Sequence, residues 1–384
     1  MQMVKSKKRR IVADCNYAGS EQDPDQKYLA GFFVPDRFLS LKIGRKKIGV
    51  FSDLEINRAK NESQLSEILS LAVVERSAKD WLGKKDVTVV DQIAWLANVY
   101  HVDLFRVPQN FPAWISEGLH RHKIDFQVVE GALFPKRLEK TADEAAMVRE
   151  GNRCSAAGFR VVKEILKASE IRRNFIYFEG KKLTSERLRE EIEIVCMRMG
   201  GIALHTIVAG GDQACDPHCD GSGPLKANEL IIVDVFPRMK KHGYFGDMTR
   251  TFLKGKASDA QRKLVKTVRA AHRLGLSMIK AGIQGNKIHK GINRLFDDAG
   301  YKTERVNGVP TGFFHSTGHG LGLEIHEPLR IGANKLTLKP GFVLTIEPGL
   351  YYPGLGGCRI EDVVWLTKTG CKLLSSSPYQ WEFA

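Results

Sequence analysis

The sequence predicts an α+β protein of two domains, a smaller α/β domain over residues 1–137 and a larger α+β domain over residues 138–384. Three observations carry this. Short apolar runs alternate with helical periodicities as far as residue 129, the segment Phe134-Pro135-Lys136-Arg137 breaks that pattern, and beyond it the order helix, helix, strands occurs twice. A chain of 384 residues is long enough for two separate cores.

In order along the chain, residues 11–13, 29–34, 38–41 and 47–51 are apolar and bounded by turn formers, so they read as strands. Residues 57–71 and 90–102 repeat apolar side chains three and four apart and read as helices. Strands near 104–107 and 126–129 complete an alternation that predicts a sheet covered by helices. Thr141, followed by Asp143 and Glu144, reads as the N-cap and acidic first turn of a long helix reaching about residue 168. A helix over 184–199 and strands over 203–208, 229–235 and 245–253 follow. Helices over 258–281 and 285–299, then strands over 341–346 and 359–366, repeat that order without repeating its residues. This predicts a pseudo-twofold architecture.

Composition narrows the class. Hydrophobic residues make up 43% and charged residues 27%, as in water-soluble globular proteins. No apolar run approaches the roughly 20 residues that cross a bilayer, and no apolar stretch follows Met1-Gln2-Met3-Val4-Lys5. Neither a membrane partner nor a secretory leader is expected, and the location read is cytoplasmic. The seven cysteines follow no framework and read as free thiols. Cys215 and Cys219 flank His218, but no second pair follows to complete a zinc site. The net charge of +15 is spread over the chain, with modest clusters at residues 5–10, 45–47 and 240–242. Aromatic residues do not interleave with them, so the charge reads as a solvated basic surface and no nucleic-acid partner is expected.

The chemistry lies in acids set among apolar neighbours. Asp234 sits in Ile231-Ile232-Val233-Asp234-Val235, Asp247 in Phe245-Gly246-Asp247-Met248, Glu347 after Val343-Leu344-Thr345-Ile346, and Glu361 in Ile360-Glu361-Asp362-Val363. Carboxylates are seldom buried unless paired or metal-bound, and four of them call for a shared counter-charge such as two divalent cations. His315, His319 and His326 cluster among Gly318, Gly320 and Gly322. Imidazole is the commonest metal ligand and a proton shuttle near neutral pH. The glycines lack the strand–turn–helix context of a dinucleotide site, and His-Glu-x-x-His is absent.

These segments, residues 233–252, 313–327, 345–351 and 359–364, resemble the pita-bread metallopeptidases, which include Xaa-Pro aminopeptidase, prolidase and methionine aminopeptidase. The ligand order Asp, Asp, His, Glu, Glu is the same. Tyr28-Leu29-Ala30-Gly31-Phe32 and Gly49-Val50-Phe51-Ser52-Asp53 resemble the small N-terminal domain of the creatinase and prolidase branch. The resemblance implies a C-terminal pita-bread fold with two metal ions. Asp234 would chelate one, Asp247 and Glu361 would bridge, and His319 and Glu347 would complete the second. A bridging water would be the nucleophile, with Glu347 or a neighbouring carboxylate taking its proton. His326 would assist the tetrahedral intermediate, His218 and His315 would line the cleft, and Arg359 would orient one wall. Manganese is the first expectation, with cobalt, zinc or iron as alternatives.

Two departures stand out. The stretch between Asp234 and Asp247 is slightly longer than in commoner members, and Phe236-Pro237 replaces the glycine usual after the first aspartate. The extra length is expected at a hairpin tip. The activity implied is an Xaa-Pro aminopeptidase, with an Xaa-Pro dipeptidase (prolidase) as the alternative. The partners implied are a peptide with proline at its second position and a second copy of the chain in a homodimer, whose cleft the N-terminal domain would cover. Two further readings are another C–N hydrolase of this fold and a non-catalytic protein that binds nucleic acid or protein; the intact ligand set opposes the latter.

Overall fold

The computed structural model describes residues 10–384; of the basic cluster at residues 5–10, all but Arg10 lies outside them. The chain divides into two compact units, Met1–Arg137 and Leu138–Ala384.

The first unit holds a six-stranded sheet. Strand Val12–Ala18 lies inside it, antiparallel to Phe38–Ile43 on one side and parallel to Leu104–Pro108 on the other. Lys46–Phe51 and Glu67–Ser70 extend the first side, and Phe126–Val129 closes the second. Helices Leu71–Leu82, Val89–Tyr100 and Ala113–Arg121 supply Val74, Ile93, Leu96, Ile115 and Leu119 to its core. Two expectations fail here. Residues 29–34 do not form a strand: Pro24–Ala30 is a helix, and residues 31–34 run on without regular structure. Local capping outweighs the apolar run, because Asp23 accepts from the Gln26 N–H and Gly31 closes the helix at φ 84°. Residues 57–71 are not one helix either. Helix Ile56–Glu62 stops before Ser63, and the chain then becomes the edge strand Glu67–Ser70. Ser66 fixes that change, its hydroxyl accepting from the Lys47 N–H and donating to the Lys47 carbonyl. Helices Leu71–Leu82 and Ala113–Arg121 went unread in the sequence.

The second unit is built twice over. Helix Ala142–Ala168 begins with the expected cap, in which Thr141 and Glu144 exchange side-chain and backbone hydrogen bonds. It packs with helix Ser185–Arg198 over the sheet Ile207–Gly210, Ile231–Val235, Met248–Lys254 and Glu382–Phe383. Helices Asp259–Met278 and Gly285–Asp298 pack likewise over Glu327–Ile331, Gly318–Gly320, Val343–Ile346, Asp362–Leu366 and Cys371–Leu373. Each half keeps its own apolar core, so the pseudo-twofold repeat is a repeat of packing.

The halves join along Met248–Lys254. The Glu361 N–H donates to the Thr249 carbonyl, and Thr251 and Arg359 exchange hydrogen bonds. The longer stretch after Asp234 is a hairpin closed by Gly246 N–H to the Pro237 carbonyl and Met239 N–H to the Tyr244 carbonyl, with residues 240–243 at its tip. The other basic cluster, residues 45–47, lies at a hairpin turn of the first unit. Among the described residues no helix is long and apolar enough to cross a membrane, and all seven cysteines are free.

Candidate metal centre

Each half of the second unit presents two carboxylates from one antiparallel strand pair. Asp234 lies within Ile231–Val235, and Asp247 immediately precedes Met248–Lys254. Glu347 immediately follows Val343–Ile346, and Glu361 immediately precedes Asp362–Leu366. Only Asp234 is therefore inside a strand; the other three occupy strand ends, where the backbone is freer to turn a side chain inward. Ile346 pairs with Asp362, and the same register carried one step further sets Glu347 opposite Glu361. His319 enters from the short strand Gly318–Gly320, its N–H donating to Thr345 Oγ1. Gly318 is required there, because a Cβ would collide with the Thr345 carbonyl. On the first half, the Asp247 N–H donates to Asn152 Oδ1 at 2.8 Å.

The side chains converge without satisfying one another. His319 Nδ1 lies 3.1 Å from the Gly320 carbonyl. A carbonyl only accepts, so Nδ1 carries the proton and Nε2 presents a lone pair. That lone pair faces Asp247 Oδ2 at 3.4 Å, Glu347 Oε1 at 3.6 Å and Glu361 Oε1 at 3.9 Å. Ligand atoms of Asp247, His319 and Glu361 all lie within 4.8 Å of one another. Asp234 and Glu347 stand beside that trio. Asp234 Oδ2 accepts from Arg359 Nη2 at 2.8 Å, while its Oδ1 is buried with no hydrogen-bond partner. Lone pairs aimed at lone pairs in a buried space fit a bound cation and fit nothing that the protein itself supplies there.

The electrostatics agree. Burial, then the charges of Glu361, Asp234 and Glu347, push the Asp247 carboxyl well above its ordinary range. Burial and the charges of Glu347 and Asp234 do the same to Glu361. Glu347 is pushed up to about 7 by burial, which outweighs the Arg359 charge. His319 is lowered to about 3, chiefly by burial, so its imidazole is neutral and fit to ligate. Hard carboxylate oxygens with one imidazole suit divalent manganese, iron, cobalt or zinc.

These residues form the floor of a cavity of about 710 Å³. His218, His315, His326 and Arg359 line it, so all the residues singled out in the sequence meet in one place. They are not equivalent. His218 and His326 are exposed in the cleft, and the His326 ring stands edge-on to His319 with centroids 4.5 Å apart. His315 is tied at both nitrogens, Nδ1 to the Ser316 carbonyl and Nε2 to the Tyr351 hydroxyl. Tyr351 in turn accepts from Arg359 Nη1, and Arg359 also donates to Thr249 and the Pro217 carbonyl. Arg359, Tyr351 and His315 thus form one buried brace behind Asp234. Cys215, His218 and Cys219 are not among the residues whose ligand atoms converge.

Sequence reasoning missed Asn152, Tyr351 and Arg330. Arg330 borders the cavity from strand Glu327–Ile331, directly across the ladder from His319. The alternation of that strand, with Leu329 and Ile331 buried and Arg330 exposed, was the available signal. Asn152 and Tyr351 had none, because each acts through a partner distant in sequence or through its packing.

A two-halved catalytic unit with an acid-rich, histidine-bearing centre defines a metallohydrolase of the pita-bread fold. A profile of Metallopeptidase family M24 matches residues 146–368. An Xaa-Pro dipeptidase of Pyrococcus furiosus is 30% identical over 258 residues, which span 66% of this chain and 67% of that one. The protein belongs to metallopeptidase family M24. Among solved structures, an Xaa-Pro dipeptidase from Bacillus anthracis superposes with a TM-score of 0.80 at 24% identity, over 97% of this chain and 95% of that one. The X-Pro aminopeptidase of Thermotoga maritima gives 0.77 at 22% identity, over 96% and 97%. At these identities the superpositions establish the fold, and they extend through both units.

Proposed function

We propose that the protein is an Xaa-Pro dipeptidase that uses two divalent ions. The sequence alone put the aminopeptidase first. The relatives reverse the order, since the dipeptidases of Pyrococcus furiosus and Pyrococcus horikoshii match at 30% and 31% identity. The observation that carries the choice is Arg330. It is exposed in the cleft and has no hydrogen bond or ion pair among the described residues. A guanidinium near the centre suits the free carboxylate that a dipeptide, unlike a longer peptide, presents one residue after the scissile bond.

In this reading Asp234, Asp247, His319, Glu347 and Glu361 hold the ions, with manganese as the first candidate. Bound there, the ions supply Lewis-acid polarisation of the peptide carbonyl and a water acidic enough to be deprotonated near neutral pH. The chain's own groups do the rest. Glu347, or a neighbouring carboxylate, takes and returns a proton at its carboxylate. His326, open to the cleft but lowered by partial desolvation in the cleft wall and by the Arg330 charge, donates a hydrogen bond to the carbonyl oxygen as charge develops. His218 faces the same space and orients the substrate. Arg359 holds Asp234 Oδ2, while Tyr351 and His315 brace Arg359. Met1–Arg137 is read as the creatinase- and prolidase-like N-terminal domain, and the protein as a cytoplasmic homodimer.

The test is hydrolysis of an Xaa-Pro dipeptide and an Xaa-Pro-Yaa tripeptide by manganese-loaded protein. Faster turnover of the dipeptide is expected. Release from the tripeptide alone would restore the aminopeptidase reading, and no turnover of either by loaded protein would remove both.

A further inference from the structure

Helix Ala142–Ala168 carries a feature that the peptidase chemistry leaves unused. Arg149, Arg153 and Arg160 fall on one face of it, all three exposed. None makes a hydrogen bond or ion pair among the described residues. Some surface arginines elsewhere in this unit find acids, as Arg187 finds Glu191 and Arg262 finds Glu382. The three arginines border a groove of about 540 Å³ that no carboxylate lines. A groove of this size holds a small molecule.

Asn152, on the floor of the groove, adds an independent observation. It is 1% exposed. Its Oδ1 accepts from the Asp247 N–H, which fixes the orientation of the amide. Its Nδ2 is then buried with no acceptor, which is uncommon in a folded protein. Three unpaired guanidinium groups at a single concavity ask for acceptor oxygens bearing negative charge, and the unpaired amide donor lies buried just beneath them. Guanidinium forks match phosphate oxygens two at a time. Met199 and Leu373, 41% and 48% exposed, add apolar surface at the rim.

We propose that this groove binds a small ligand carrying a diphosphate group. Asn152 touches the groove on one side and the Asp247 backbone on the other. Gly151 beside it packs so closely on Gly246 that a Cβ could not be added. A ligand in the groove therefore lies against the residue that holds the Asp247 N–H.

The experiment is calorimetric titration of the manganese-loaded full chain with pyrophosphate and, separately, with ADP, at constant ionic strength. The wild type is compared with Arg153→Ala, Arg160→Ala and Arg160→Lys. Saturable binding is expected, weakened at least about tenfold by each alanine and less by the lysine. Ligand-free melting and dipeptide turnover should be unchanged in all three variants. Tighter binding of ADP than of pyrophosphate assigns a nucleoside diphosphate; equal binding assigns the free diphosphate. Pyrophosphate can also bind at the metal centre, and affinity equal in wild type and variants would place it there and overturn the proposal. So would the absence of saturable binding at millimolar ligand, or binding of a hexaglutamate peptide with both phosphate ligands inert.

Discussion

Glu361 and Asp362 are neighbours in sequence, 2% and 1% exposed, and their surroundings are opposite. Asp362 is satisfied by the protein. Its carboxylate accepts from Arg250 Nη2 at 2.8 Å, Ser375 Oγ at 2.6 Å and the Tyr379 hydroxyl at 2.6 Å, with His272 Nε2 at 3.1 Å. Burial raises its carboxyl, but the Arg250 and His272 contacts outweigh burial and hold it well below the usual range. Glu361 has one hydroxyl donor, Thr249, and otherwise faces His319 and other acids, so its carboxyl is driven up. Burial of an acid therefore does not mark a metal site. What marks it is a group of buried acids whose oxygens face one another and a neutral imidazole, with fewer donors than they can accept from. Successive side chains of a strand point to opposite faces, so one step along the chain separates a structural ion pair from a centre that needs an ion.

The largest effect should come from emptying the ion-seeking side of the comparison. Asp247→Asn or Glu361→Gln is expected to lower dipeptide turnover by on the order of a thousandfold or more. Metal analysis of the purified variants should show the matching loss of bound ion. Removing a like charge should leave the metal-free protein at least as stable as the metal-free wild type. A marked fall in its melting temperature would mean that these carboxylates, like Asp362, hold the fold together.

Next in size is the satisfied side. Asp362→Ala leaves Arg250 buried and uncompensated, which costs roughly 3–5 kcal/mol. In a unit of this size that lowers the melting temperature by about 10 °C, with or without metal. Equal melting of variant and wild type would show that the Arg250 pair contributes nothing net.

The two acids were unequally legible in the sequence. The five candidate ligands stood out because Asp234, Asp247, Glu347 and Glu361 interrupt apolar runs and His319 sits among glycines. Asp362 is as buried as any of them, yet it drew no notice, because its partners Arg250, His272 and Tyr379 lie on other elements and periodicity cannot bring them together. The same limit explains Asn152, whose single contact with Asp247 joins a helix to a strand end. In the smaller unit the failures were local: the Asp23 cap and the Ser66 hydrogen bonds decide residues 24–34 and 57–71 against the apolar pattern. Strand and helix order in the larger unit was legible because its helices are long and properly capped, as at Thr141 and Ser258.

Asn152 offers an intermediate test, since it serves the ion-seeking side without touching the ion. Asn152→Ala leaves the buried Asp247 N–H without its acceptor. Loss of such a supporting contact should weaken metal retention by about 10- to 100-fold. Competition with a graded chelator series measures this directly, and retention equal to wild type would mean that Asp247 is placed by its strand alone.

The smallest effect sharpens the satisfied side. Tyr379→Phe removes one of the donors to Asp362 and leaves Arg250, Ser375 and His272 in place. The ring that lies against the Arg250 and Arg269 guanidinium groups is kept. A loss of about 1 kcal/mol, or roughly 2–4 °C in melting temperature, is expected, with turnover and metal content unchanged. If this one hydroxyl instead lowers metal content, the Asp362 cluster and the metal centre are coupled through the Glu361 backbone, whose carbonyl also accepts from Arg250. The two faces of the strand would then work as one site rather than two.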